Sequence, residues 1–304
     1  MRAPGIYAQH TDFFGLIDRG ADIVQVAGGF GFTEGPVFSR IGFLLFSDLE
    51  SQTIHKWTIA PWESDPRRGE LTVFRHRSNR ANGLTFDHQG RLLVCETGPG
   101  RVTRTEKDGS ITVLADRYRG KRLSSPNDLV YNIDGSIYFS DMPRRNVSDA
   151  SERTNVAAVY RISRTQVPGA STLEMVSRDS KRANGVSLGP QHNLLYVADS
   201  ARKNIRVHPI NNDGTLARGR VFAEFTSDDS GNPDGLKTDE SGNVYATGPG
   251  GVWVFDSSGR HLGTIVTPEQ PANCCWGRGF AGLYITARTS VYHVATRISG
   301  TRTF

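Results

Sequence analysis

Six polar side chains recur in one register along this chain of 304 residues: Glu34 in TEGPVF, Asn82 in ANGLTF, Asn127 in PNDLVY, Asn184 in ANGVSL, Asp234 in PDGLKT and Asn273 in ANCCWG. Each stands fourteen or fifteen residues ahead of the end of an apolar run, at Asp48, Glu96, Asp141, Asp199, Gly248 and Ala287 respectively. Brought to one point, Glu34, Asn127, Asn184 and Asp234 would offer two carboxylates and two amide oxygens. An oxygen cage without Cys or His, carrying a formal charge of −2, suits a hard divalent cation. Ca²⁺ is favoured over Mg²⁺ or Mn²⁺, with Zn²⁺ as an unspecialised substitute. Asn82 and Asn273 share the register and would line the same point, either behind the cage or facing a substrate. An Asn or Asp before Gly is by itself an ordinary turn residue. Six in one register, with Glu34 outside the turn pattern, are not explained by turns.

The elements that must position these residues are strands. The second repeat reads GLTFD, the turn HQG, RLLVCE, GRVTRTE, the turn KDG and SITVLA. Apolar runs of four to six residues bounded by Gly, Asp and Asn are short strands joined by hairpins. NIDG at Asp134, NNDG at Asp213, DESG at Glu240 and DSSG at Ser257 repeat that punctuation. The recurring residues are 48, 45, 57, 50 and 39 positions apart, an irregular period in the range of propeller blades. The expected fold is all-β: a six-bladed β-propeller with four-stranded blades around a central channel. The first strand of each blade would follow that channel, which is how residues from different blades reach one point. One domain is expected over residues 1–304, with residues 1–25 as an N-terminal extension added to the ring and a second irregular stretch between Pro143 and Thr154.

Composition narrows the function. A hydrophobic share of 37% with 22% charged residues is that of a globular chain with a sizeable core. The first segment has no apolar run long enough for a secretory signal or a membrane span, so a cytoplasmic protein without a membrane partner is expected. The formal net charge of +5 is scattered among acids, with short basic clusters at Arg67, Arg117 and Arg144 and no continuous basic stripe, so no nucleic-acid partner is expected. Cys95 lies in an apolar strand, and the adjacent Cys274 and Cys275 cannot readily bridge each other, so no disulfide framework is expected. No G-x-S-x-G elbow, H-E-x-x-H pair or Gly-rich nucleotide turn is present. His88 in DHQG and His192 in PQHN sit at turns, without metal-ligand spacing.

With TEGPVF, SPNDLV, ANGVSL, YVADS, NPDGLKTDESGNVY and ANCCWG in order along nearly the whole chain, the sequence resembles the SMP-30/gluconolactonase/luciferin-regenerating-enzyme family. The resemblance implies a six-bladed propeller with one axial divalent metal held by Glu34, Asn184 and Asp234, with Asn127 as a further ligand or substrate contact. It implies a metal-dependent hydrolase that opens a lactone, a sugar lactone such as glucono-1,5-lactone first, with Asp234 doubling as the catalytic base. A carboxylate on a cation is a weak base, which leaves Asp141 or Asp199 as alternatives. Asp128, Asp141 and Arg145 join Asn82, Asn127 and Asn273 as expected substrate contacts. Where sugar-lactonase relatives carry an Arg two places before Asn127, this chain has Ser125, and where bacterial relatives read DPPYG it reads DMPRRN. Arg144 and Arg145 thus suggest a differently shaped or more anionic substrate. Other readings are a related esterase or organophosphate hydrolase, or a non-hydrolytic pathway enzyme or binding scaffold. A monomer or weak homodimer is expected.

Overall fold

The computed structural model describes residues 2–144, 148–164 and 171–302. Six antiparallel sheets follow one another around an axis, each beginning with the strand that carries a recurring motif. These inner strands are Thr33–Ser39, Ala81–Phe86, Pro126–Tyr131, Ala183–Leu188, Leu236–Thr238 and Pro271–Trp276. Burial falls from the axis outward. Ala81–Phe86 is buried at every position, whereas Gly69–Arg75, the outermost strand of the first blade, is largely exposed.

Packing between blades holds the ring together. Leu93, Cys95 and Val102 of the second blade meet Leu129, Phe139 and Tyr160 of the third. Equivalent apolar clusters join the first blade to the second, the third to the fourth, the fourth to the fifth and the fifth to the sixth. Leu44, Phe46 and Trp57 of the first blade meet Cys275, Tyr284 and Val291 of the last. Each blade thus buries both faces against neighbours, which is why a short four-stranded sheet is stable here. Cys95, Cys274 and Cys275 are all buried free thiols.

The N-terminal segment is more than an addition. Ile23–Gly28 pairs with Ser290–Val294 and supplies the outermost strand of the last blade. Gly5–Ala8 adds a fifth strand to the fifth blade. Between them, Phe13 and Ile17 are fully buried in the core joining blades five and six. Among the described residues between Pro143 and Thr154, Ala150–Glu152 forms a 3₁₀ turn. Among the described residues no helix is long and apolar enough to cross a membrane.

Candidate active site on the ring axis

The motif residues reach the axis because each inner strand begins irregularly. The ladder to the second strand slips between Glu34 and Val37, Ala81 and Leu84, Pro126 and Leu129, Ala183 and Val186, and Pro271 and Asn273. In the fifth blade, Asp234 lies just ahead of Leu236–Thr238. A bulge re-aims side chains and leaves backbone groups without ladder partners. Hydroxyls near the second-strand ends take up those groups across the blade boundary. Ser47 Oγ donates to the Asn82 carbonyl at 2.7 Å, Ser200 Oγ to Pro233 at 2.7 Å and Thr247 Oγ1 to Ala272 at 2.8 Å.

Three carboxyl groups converge there. Glu34 is 2% exposed, and its Oε2 accepts the Gly35 amide at 2.9 Å. Burial, reinforced by the charge of nearby Asp128, pushes the Glu34 carboxyl up to about 7. Asp234 is half-buried, and burial together with the charges of Glu34 and Asp128 holds its carboxyl well above the usual range. Asp128 accepts the Leu129 amide at 3.0 Å and, across the blade boundary, the Val186 amide at 3.1 Å, while burial raises its carboxyl too. The Asn273 Oδ1 accepts the Cys274 amide at 2.8 Å, which leaves its NH₂ to donate to Glu34 and Asp128.

Amide oxygens complete the set. Asn184 donates Nδ2 to Ser200 Oγ at 2.9 Å, yet its Oδ1 is buried with no hydrogen-bond partner, as is Asn82 Oδ1. Asn127 is buried at the same end of its strand. Unpartnered buried acceptors beside carboxyls that resist ionisation form a set of oxygens that would suit a hard cation. No group of three or more His, Cys, Asp and Glu side chains suited to a metal occurs among the described residues. The oxygen donors gathered here are instead two carboxylates with neutral amide oxygens, the donor chemistry that hard cations take.

Other expected residues are placed elsewhere. Asp199 is fully buried at its strand end, and its carboxylate accepts the amides of Lys181, Arg182, Ala201 and Arg202. Asp141 accepts the amides of Ser124 and Ser125 and the Thr154 hydroxyl, and burial pushes its carboxyl up to about 6. Both fasten the loop entering their own blade, as Asp48 does through the Gly31 and Phe32 amides. With their oxygens so engaged, neither faces the axial group. Asp128 is 2% exposed, with its oxygens taken by the Leu129 and Val186 amides. Arg145 lies outside the described residues; its neighbour Arg144 donates to the Thr97 and Gly98 carbonyls at 3.2 and 2.9 Å.

Two basic groups went unnoticed in the sequence. Lys237 sits where its charge favours ionised Glu34 and Asp128, and exposed Arg182 does the same for Asp234. Lys237 had a signal: between buried Leu236 and Thr238 it must point to the opposite face of its strand, which is the channel.

Residues 32–289 match the protein family described as the SMP-30/gluconolactonase/LRE-like region. A gluconolactonase from Zymomonas mobilis is 32% identical over 305 aligned positions, covering 94% of this chain and 84% of that protein. The solved structure of a gluconolactonase from Xanthomonas campestris superposes with a TM-score of 0.83 at 28% identity, covering 96% of each chain. A calcium-binding regucalcin from Agrobacterium tumefaciens shares the fold, with a TM-score of 0.73 at 17% identity over 93% of this chain and 95% of that one.

Proposed function

The chain belongs to the SMP-30/gluconolactonase/LRE-like family, and from that premise we propose that it is a Ca²⁺-dependent lactonase acting on a sugar lactone of the glucono-1,5-lactone type. The observation that carries the metal requirement is the convergence of Glu34 and Asp234 with the unpartnered Oδ1 atoms of Asn82 and Asn184. The calcium-binding character of the regucalcin on the same fold agrees with it. Glu34, Asn184 and Asp234 would hold the ion, with Asn127 and Asn82 beside them.

When bound, the cation supplies Lewis-acid polarisation of the ester carbonyl. The chain's own groups do the rest. Asp234, the least buried of the three axial acids, accepts the proton of the attacking water, while Asp141 and Asp199 are committed to backbone amides and leave that task to it. Asn273 orients Glu34 by donating to it, and Asp128 holds two blades in register. Arg182 stands near Asp234 on the exposed side, placed to meet the polar rim of a sugar ring.

The test is acid release from glucono-1,5-lactone by chelator-treated protein, corrected for spontaneous opening, before and after adding Ca²⁺, Mg²⁺, Mn²⁺ or Zn²⁺. Turnover restored by Ca²⁺ is expected. Protein that takes up a cation and still leaves the lactone at its background rate would overturn the substrate assignment.

A further inference from the structure

The channel has a second end. Beyond the axial acids, the inner strands continue for several residues at about 3.3 Å each, so Arg40 lies roughly 20 Å along the chain from Glu34. There the later residues of the inner strands, with the segment near the C-terminus, enclose a cavity of about 550 Å³. Among the described residues its lining contains four cationic side chains, Arg40, Lys237, Arg278 and Arg302, and neither Asp nor Glu. Ser187 and Thr85 add hydroxyls.

Two of these cations sit on fixed supports. The Arg278 guanidinium donates to the Ile59 and Pro61 carbonyls at 2.7 and 2.8 Å, neutral acceptors that fix it without cancelling its charge. Arg302 is carried on a segment stitched to the fifth blade, where the Thr301 amide donates to the Thr238 carbonyl at 2.9 Å and Thr301 Oγ1 to the Asp239 carbonyl at 2.9 Å. Among the described residues, Lys237, Arg278 and Arg302 form no salt bridge within 4.0 Å. Lys237 feels the axial acids, as the attraction of Glu34 and Asp128 shows. Arg40, Arg278 and Arg302 are exposed around the mouth of the cavity and Lys237 is half-buried within it, so like charges gathered on one concave surface repel one another and set up a positive potential that a small anion would relieve. The volume is that of a small-molecule site, and guanidinium forks match phosphate and carboxylate oxygens.

We propose that this end of the channel binds a small oxyanion, a phosphate- or carboxylate-bearing metabolite, at a site separate from the axial acids. Two sources share that chemistry. One is a phosphorylated compound; the other is the hydroxy acid that lactone hydrolysis releases.

Titration calorimetry on chelator-treated protein tests this, because without a bound cation the axial group offers an anion no positive counter-charge. The probes are inorganic pyrophosphate and, separately, sodium gluconate, at low and high KCl. One site is expected for at least one probe, weakening with salt. Affinity should fall about tenfold in Arg302→Gln and about a hundredfold in the Arg40→Gln/Arg302→Gln pair, one charge-assisted hydrogen bond for each arginine. Metal-restored turnover should be unchanged in both variants. Preference for pyrophosphate identifies a phosphorylated ligand, and preference for gluconate identifies the product. Wild-type protein that binds neither probe, or a folded single variant that binds as tightly as wild type, overturns the proposal. Because binding is read as heat in metal-free protein, failure of the lactonase assignment would leave the result interpretable.

Discussion

Glu34 and Asp234 resist ionisation, so a divalent cation can be held between them only by displacing protons. The Glu34 carboxyl is pushed up to about 7, and burial with the charges of Glu34 and Asp128 holds that of Asp234 well above its ordinary range. Acids raised in this way favour folding below their unfolded values, and that contribution is lost as pH rises through the folded ones. Metal-free protein should therefore lose stability from weakly acidic toward alkaline pH, and Ca²⁺ should restore it, by about 2.7 kcal/mol at a hundredfold excess over Kd. Cation affinity should climb between about pH 5.5 and 7.5, by up to about tenfold per pH unit for each proton displaced. Calorimetry in buffers of differing ionisation enthalpy reads the protons directly, and an affinity flat across that range would refute the assignment. Substitution separates the axial acids from the strand-end acids. Asp234→Asn should abolish Ca²⁺ stabilisation and lower turnover by about 10²–10⁴-fold. Asp199→Asn should instead cost about 1–3 kcal/mol of stability through its loosened backbone amides, with turnover of the folded enzyme largely kept.

At the scale of the strands, the bulges place the site and glycine lets neighbouring bulges touch. A Cβ on Gly185 would overlap the Asp234 carbonyl oxygen and crowd the Gly235 Cα at 2.8 Å, both backbone atoms of the next blade. Gly185→Ala should therefore shift Asp234, lower stability by about 1–3 kcal/mol and weaken Ca²⁺ binding. Gly15→Ala, with nothing within 4 Å of the added carbon, should leave the melting temperature unchanged or slightly higher. A thermal melt of each with and without Ca²⁺ distinguishes a local clash from a general cost of replacing glycine. These strands were legible beforehand. Leu92–Glu96 and Arg101–Thr105 lie where the second repeat puts them, and the common register of Glu34, Asn184 and Asp234 marks one end of the channel. The fates of the acids were not legible. Asp141 and Asp199 close apolar strands in the same way that an exposed acid would, and only the folded loops show backbone amides taking up their oxygens. Asp128 stands where four other blades have glycine, at Gly35, Gly83, Gly185 and Gly235, and nothing in the repeat foretells its reach to the Val186 amide.

For the whole molecule, the decisive contact is the one that turns a row of blades into a ring. The period of the motifs implies closure but does not say what performs it, because the closing strand lies outside the repeat. Ile23–Gly28 shares no motif with the blades, yet it runs antiparallel to Ser290–Val294 with Ile23 opposite Val294 and Gly28 opposite Ser290. It joins the beginning of the chain to its last blade, and Val26 packs with Leu44 of the first blade and Tyr284 of the sixth. Gly5–Ala8 is different: it lies on a blade that already has four strands, and its residues are half-buried. Removing residues 1–9 should therefore lower the melting temperature by only a few degrees. Removing residues 1–28 also takes away Phe13, Ile17 and Val26, each buried and worth about 2–5 kcal/mol, and uncovers the Ser290–Val294 edge. An uncovered apolar edge strand recruits other chains. That truncation should melt at least about 10 °C lower, elute as aggregate and bind Ca²⁺ poorly, because Glu34 and Asn273 meet only across the closure. Size-exclusion chromatography and a thermal melt of the two truncations decide it: a monomeric 29–304 chain melting within a few degrees of the full chain would mean that the ring is closed by blade packing alone.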